Sequence, residues 1–268
     1  MVEGNVISDL EKAKRLKLRL QRGELCLGAQ IVLSDPAAAE ILGRVGYDWL
    51  IIDTEHTAND ATIVRSMLRA AGRTDAVVLA RPLRLDPDEI RRLLDVGSPG
   101  VLCPFINTGE EAIRLVQACR YPPLGIRGYG PRRADTYGLD ADQYFDHANE
   151  AMLCIPIIES QASVENIEDI VSVDGIDAVC IGPMDLSVSL GIPKEYGHVK
   201  YKTSYETVRQ ACRKYKKAMG TACFGLDHAK RCAAEGDTFL LLGGDTSYLA
   251  AESRRLIEGM RRGDAQQY

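Results

Sequence analysis

Short apolar runs recur along the chain with amphipathic stretches between them. Runs at 25–33, 49–53, 76–80, 101–105, 152–158, 178–181, 219–224 and 239–242 are almost continuously hydrophobic. That pattern belongs to strands buried on both faces, not to strands that alternate apolar and polar. The intervening stretches, 36–45, 61–71, 87–95, 110–119, 141–150, 164–171, 204–217 and 227–235, carry helical periodicity, and a ninth, 247–261, follows the last run. Strands and helices in strict alternation predict either a parallel barrel or a doubly wound parallel sheet. The length of 268 residues is close to the roughly 250 typical of a (β/α)8 TIM barrel, which is the fold expected here, as one domain over 1–268.

Local signals support several of these boundaries. Asp35 precedes Pro36 and Asp86 precedes Pro87, each a capping acid ahead of a proline at the first helical position. The stretch 7–22 reads as an extra N-terminal helix closing the bottom of the barrel. The segment 121–140, rich in glycine and proline, interrupts the rhythm, and long loops of this kind often serve a function.

Composition narrows the function classes. With 46% hydrophobic and 26% charged residues the chain is ordinary for a folded protein, and a net charge of −5 with no basic stripe argues against nucleic acid as a partner. Of the eight cysteines, Cys103, Cys154, Cys180 and Cys223 lie in apolar runs, and no Cys-x-x-Cys pair is present. They read as small core residues in a reducing cytoplasm, not as a disulfide framework. No run reaches the roughly 18 apolar residues of a membrane span, and residues 1–9 lack an apolar signal core.

A barrel carries its chemistry at the C-terminal ends of its strands. The second strand ends in Asp53, with Glu55 and His56 just beyond; the third ends at Arg81, the fifth at Glu159, and the sixth leads to Asp185. A polar residue closing an apolar run can be a turn former, but five on four strands predict a shared site. Glu159 and Asp185 would repel unless one took a proton or a cation lay between them. Mg²⁺ or Mn²⁺ is held by such carboxylates; the alternative is an acid–base pair for glycoside hydrolysis, which the low aromatic content, 6%, argues against.

His56 is a candidate general base if Asp53 accepts its ring N–H, or else a cap for the next helix. Arg81 suits an anionic oxygen of a substrate, or else a salt bridge to Asp53 or Glu55. Gly243 to Thr246 could cradle a phosphate but reads better as a plain turn and helix cap.

These residues in this order resemble the class II, metal-dependent pyruvate aldolases of the HpcH/HpaI aldolase family, a group that includes 4-hydroxy-2-oxoheptanedioate aldolase, 2-dehydro-3-deoxyglucarate aldolase and, more distantly, macrophomate synthase. The likeness is carried by GYDWLIIDTEHTAND, VVLARP, RRLLDVGSPGVLCPFINTGEEA, ACRYPPLGIRGYGPRRADTYG, PIIES and IGPMDLSVSLG, which together span most of the chain.

The resemblance implies a lyase that cleaves a 4-hydroxy-2-oxo acid to pyruvate and an aldehyde through a metal-bound enolate. It implies Glu159 and Asp185 as metal ligands for Mg²⁺, Mn²⁺ or Co²⁺, with no organic cofactor. His56 supported by Asp53 matches the base, and Arg81 the holder of pyruvate. Gly182, Met184 and Asp185 match the stretch that receives the pyruvate carboxylate. Asp95 matches an acidic position near the metal waters, with Glu55 and Arg127 as further site candidates. The resemblance also implies a homo-oligomer, a trimer or hexamer paired by swapped C-terminal helices.

The chain departs from the family's patterns at Thr54, Ile157 and Gly130 to Arg133, which bears on the choice of aldehyde. No apolar run ends in lysine, against an imine-forming route. The rival readings are a CoA-ester lyase or decarboxylating synthase on the same barrel, with Arg132 and Arg133 for the CoA phosphates, and a catalytically silent scaffold.

Overall fold

The eight apolar runs pair side by side and close on themselves. The protein's structure, a computed structural model, describes residues 8–262. Its strands β1 (Cys26–Ile31), β2 (Trp49–Asp53), β3 (Val77–Arg81), β4 (Gly100–Cys103), β5 (Leu153–Ile158), β6 (Ala178–Ile181), β7 (Ala218–Ala222) and β8 (Phe239–Gly244) are all parallel, and β8 pairs with β1 to complete a barrel. Closure excludes the doubly wound sheet. The positions 1–7 and 263–268 lie outside the described residues, and with them Ile7, the expected first residue of the N-terminal helix.

Period-two alternation decides what each strand residue faces. Trp49, Ile51, Val77, Leu79, Leu102, Leu153, Ile155, Ile157, Cys180 and Phe239 form one buried cluster inside the barrel. Their neighbours Leu50, Ile52, Val78 and Ala80 point outward and pack with Leu42, Val64, Met67 and Leu68 of α2 (Pro36–Val45) and α3 (Ala61–Ala70). In the interior, Trp49 stacks on Phe239 with ring centroids 3.9 Å apart. This layer needs Gly28, because a Cβ there would fall 2.1 Å from the Trp49 ring. The helix α1 (Asp9–Gln21) closes the bottom by adding Ala13, Leu16 and Leu20 to the interior cluster.

The helical ring largely follows expectation. Asp35 and Asp86 accept backbone N–H groups in the first turns of α2 and α4 (Pro87–Asp95), each with proline at the start. The helix expected at 164–171 is two, α7 (Gln161–Glu165) and α8 (Ile167–Ser172). They are parted at Asn166, whose side chain donates to the Asn107 carbonyl. A helix the apolar pattern did not predict, α9 (Pro183–Ser189), follows β6 directly, and α10 (Val199–Lys214) begins ahead of the expected 204. The strand expected at 101–105 stops at Cys103, because Phe105 takes a positive φ of 51°.

The long segment after α5 (Gly109–Cys119) leads into α6 (Ala141–Ala151), which packs on α1. After β7 comes α11 (Leu226–Ala234), and after β8 the long α12 (Asp245–Arg262), which leaves Leu249, Leu256, Ile257 and Met260 exposed. No helix among the described residues is long and apolar enough to cross a membrane. All eight cysteines are free, and seven of them are buried.

Candidate active site

Extending the inward rows of β2, β3 and β5 by one more inward position reaches Asp53, Arg81 and Glu159. On β6 the same row runs from Cys180 to Gly182, and on β1 through Gly28 to Gln30. The strands thus deliver these residues to one mouth, at their C-terminal ends. Asp53 and Arg81 are register partners across β2 and β3. Arg81 Nε donates to Asp53 Oδ1 at 3.0 Å and Nη2 to Oδ2 at 2.6 Å, a two-pronged pair with Asp53 fully buried. Gln30 Nε2 donates to Asp53 Oδ2 at 3.1 Å, and the backbone N–H groups of Glu55 and His56 donate to Oδ1. Burial alone would push Asp53 upward, but the Arg81 guanidinium and the two backbone donors outweigh it and hold the carboxyl below its ordinary range.

The other carboxylates are less well served. Glu159 accepts the Phe105 N–H at 2.8 Å on Oε1. Its Oε2 lies where a side chain on residue 182 would stand, 2.6 Å from the position of a Cβ there, so Gly182 makes room for it. Burial, reinforced by Asp185 and Glu55 against the Phe105 amide and Arg81, pushes Glu159 up to about 7. Glu55 is also pushed up, by burial first, with Asp53 and Asp185 adding to it against Arg81 and His56. Glu55 Oε2 is buried without a hydrogen-bond partner, 3.3 Å from both Arg81 Nε and His56 Nε2. Asp185, half-buried in the first turn of α9, faces the same acids.

Several expectations need correction. Asp53 does not orient the His56 imidazole: its oxygens are filled by Arg81, Gln30 and backbone N–H groups, and the exposed ring sits beside Glu55 instead. The salt bridge considered for Arg81 is present, with Asp53 and Glu55 both. Gly182 is no free backbone donor, since its N–H goes to the Ile158 carbonyl; the amides left over at the start of α9 are those of Met184 and Asp185.

Asp95 and Arg127 are not near Glu159 and Asp185 within this chain. Asp95 ends α4 just before β4 begins, at the bottom of the barrel. There Arg127 Nη2 donates to Asp95 Oδ1 at 2.8 Å and to the Tyr144 hydroxyl at 3.0 Å. Arg133 is held by Asp9 and the Leu68 carbonyl at the same end, so its guanidinium does not reach the mouth. The Gly243–Thr246 turn is a turn and cap: Asp245 accepts the N–H groups of Val32, Leu33 and Thr246.

Two site residues escaped the sequence reading. Gln30 was legible only through the inward parity of β1. Phe105 acts through its amide, which no side-chain pattern reveals.

A family model described as HpcH/HpaI aldolase/citrate lyase matches residues 28–251. The chain belongs to that family. It is 36% identical over 243 residues to the 2-keto-3-deoxy-L-rhamnonate aldolase of Escherichia coli K12, covering 90% of this chain and 91% of the relative. It is 34% identical over 251 residues to the hydroxypyruvate/pyruvate aldolase of Pseudomonas aeruginosa, covering 93% of each. An HpcH/HpaI aldolase/citrate lyase family protein from Burkholderia cenocepacia J2315 superposes with a TM-score of 0.89 at 31% identity, over 92% of this chain and 99% of that one. As a member of the family the chain is an enzyme, a lyase of the aldolase type.

The mouth has the donors that a hard divalent cation needs. Glu159 Oε2 and the Asp185 carboxylate make no hydrogen bond among the described residues, and Glu55 Oε2, which pairs with Arg81 at 3.3 Å but accepts no hydrogen bond, adds a third acid to the group. An all-oxygen set of this kind favours Mg²⁺ or Mn²⁺ over ions that seek sulfur or imidazole.

Proposed function

We propose that the chain is a divalent-metal-dependent aldolase that reversibly cleaves a 4-hydroxy-2-oxo acid to pyruvate, or a related 2-oxo acid, and an aldehyde. The observation that supports it most is the excess of carboxylates around one fixed arginine at the barrel mouth. Glu159 and Asp185 are the residues to hold the ion, Mg²⁺, Mn²⁺ or Co²⁺. When bound, such an ion supplies Lewis-acid stabilisation to the oxygens of the 2-oxo acid.

The chain's own residues do the rest. The Met184 and Asp185 amides at the start of α9 receive the substrate carboxylate, with Gly182 keeping the approach open. Arg81 is locked through Nε and Nη2, which leaves Nη1 to stabilise the negative charge that develops on the 2-oxo oxygen as the C3–C4 bond breaks. His56 Nε2, beside Glu55, takes the proton of the 4-hydroxyl in cleavage, a proton then added at C3 completes pyruvate, and both transfers run backwards in synthesis. We further infer a homo-oligomer, trimer or hexamer, with α12 exchanged between subunits; the exposed Leu249, Leu256, Ile257 and Met260 support this.

The test is exchange of the C3 protons of pyruvate in D₂O, followed by NMR with Mg²⁺ or Mn²⁺ and again with excess chelator. Exchange that needs the metal is expected. Folded, metal-loaded protein that leaves pyruvate unlabelled would overturn the reading.

A further inference from the structure

A second cluster of metal-ligating side chains lies beside the end of β7, apart from the carboxylates of the mouth. The chain leaves β7 through Cys223, Phe224 and Gly225, the last at φ 100°, and enters α11. His228 and Cys232 stand four residues apart on that helix, a spacing that puts them on one face. One ligand atom from each of Cys223, His228 and Cys232 lies within 4.8 Å of the other two. The Cys232 Sγ to His228 Nε2 distance is 3.5 Å. Bonds of about 2.3 Å to sulfur and about 2.0–2.1 Å to nitrogen at a tetrahedral centre place those two atoms about 3.5 Å apart.

We propose that Cys223, His228 and Cys232 form a metal site for zinc or a similar thiophilic divalent ion. Two sulfurs and an imidazole are the donors that zinc selects, and the oxygen-seeking ions suited to Glu159 and Asp185 avoid them. A cavity of about 680 Å³ whose lining includes His228 and Cys232, but not Cys223, lies on one side of the cluster, with Lys202, Asp227 and Arg231 also on its wall.

Among the charges around it, Arg209 is occupied by Asp237, Glu206 and Glu235. Arg231 opposes a cation, and Asp227 favours one from the same cavity wall. Binding releases one proton from each thiol to solvent. The Phe224 N–H donates to His228 Nδ1 at 3.1 Å, which places the imidazole proton on Nε2, toward Cys232. An ion on Nε2 therefore requires the proton on Nδ1, so the Phe224 N–H must give up this hydrogen bond and turn away from the ring.

The ion would clamp the β7–α11 turn. Phe224 of that turn stacks on Tyr196 with ring centroids 4.2 Å apart, and the Tyr196 hydroxyl donates to Met184 Sδ, next to Asp185.

Titration of the reduced full-length chain with Co²⁺ tests the site without relying on activity. Thiolate ligation gives charge-transfer absorption in the near ultraviolet and strong tetrahedral bands in the red, which an all-oxygen site does not. The expected result is one equivalent of thiolate-bound Co²⁺, displaced by Zn²⁺, retained in Glu159→Gln and lost in Cys223→Ser and His228→Ala. These half-buried positions carry the test because Cys232 is a core residue whose variant can unfold. Absence of thiolate bands in the reduced wild-type chain overturns the proposal, as does their persistence in Cys223→Ser.

Discussion

The two ends of the barrel handle charge in opposite ways. At the bottom, Arg127 meets Asp95, while Arg133 and Lys12 meet Asp9, so every acid there has a base, and the Arg127 guanidinium, whose Nε and Nη1 make no hydrogen bond, lies over the Tyr121 ring at 4.6 Å. At the mouth, Asp53, Glu55, Glu159 and Asp185 face Arg81, and Asp53 takes both ends of its fork. Like charges gathered in a buried place cost stability unless something from outside the chain completes them. The bottom therefore offsets its charges within the chain, whereas the mouth leaves an excess of carboxylates, which is what the proposed cation would offset.

Variants at each end put that contrast to the test. Arg127→Met leaves Asp95 and the Tyr144 hydroxyl without their donor inside the fold, and removal of one partner of a buried pair costs about 3–5 kcal/mol. Urea unfolding should show a loss near the lower figure, since Asp95 is partly exposed and water can reach it. A loss below the error of the measurement would mean that the bottom network does not stabilise the chain.

Arg81→Ala should reduce metal-dependent pyruvate exchange by about 10²–10³-fold, the effect of losing one preorganised charge-stabilising donor. A rate within a factor of a few of the wild type would remove Arg81 from the chemistry.

Glu159 sharpens the comparison through pH. Its carboxyl is pushed up to about 7, against an ordinary value of about 4.3 in an unfolded chain. Between those values the folded chain binds more protons than the unfolded one, so stability in chelator falls as pH rises through that window and levels off above it. The total is on the order of 3 kcal/mol, and Glu159→Gln should flatten the slope. An equally steep slope in the variant would assign the titration to another acid. The smallest effect is that of Gly182→Ala. The added Cβ displaces Glu159 Oε2, and isothermal titration should show metal binding weakened by about 1 kcal/mol, with unchanged affinity contradicting the role of Gly182.

Much of this was legible because burial constrains composition. Strands covered on both faces must be apolar throughout, so their rhythm gave alternating parallel strands and helices, and the chain length favoured a barrel over a doubly wound sheet. A charge ending such a run is costly without a purpose, so Asp53, Arg81, Glu159 and Asp185 stood out. The contacts of those charges were not legible. Asp53 could serve His56 or Arg81 from its position in the chain, and strand register chose Arg81. Asp95 was a site candidate only through the family resemblance, and the direction of α4 carries it to the opposite end within this chain.

Local chemistry alone thus determined the alternating strands and helices, the capped helix starts and the set of rim residues, because periodicity, proline and capping acids act over a few positions. Tertiary structure decided the rest: that the sheet closes, that the Phe105 amide serves Glu159, that Gly182 yields space to a carboxylate, and that Cys223 meets His228 and Cys232. These depend on which residues meet across the barrel or around a turn, and inward parity and strand register fix that only once the chain has folded.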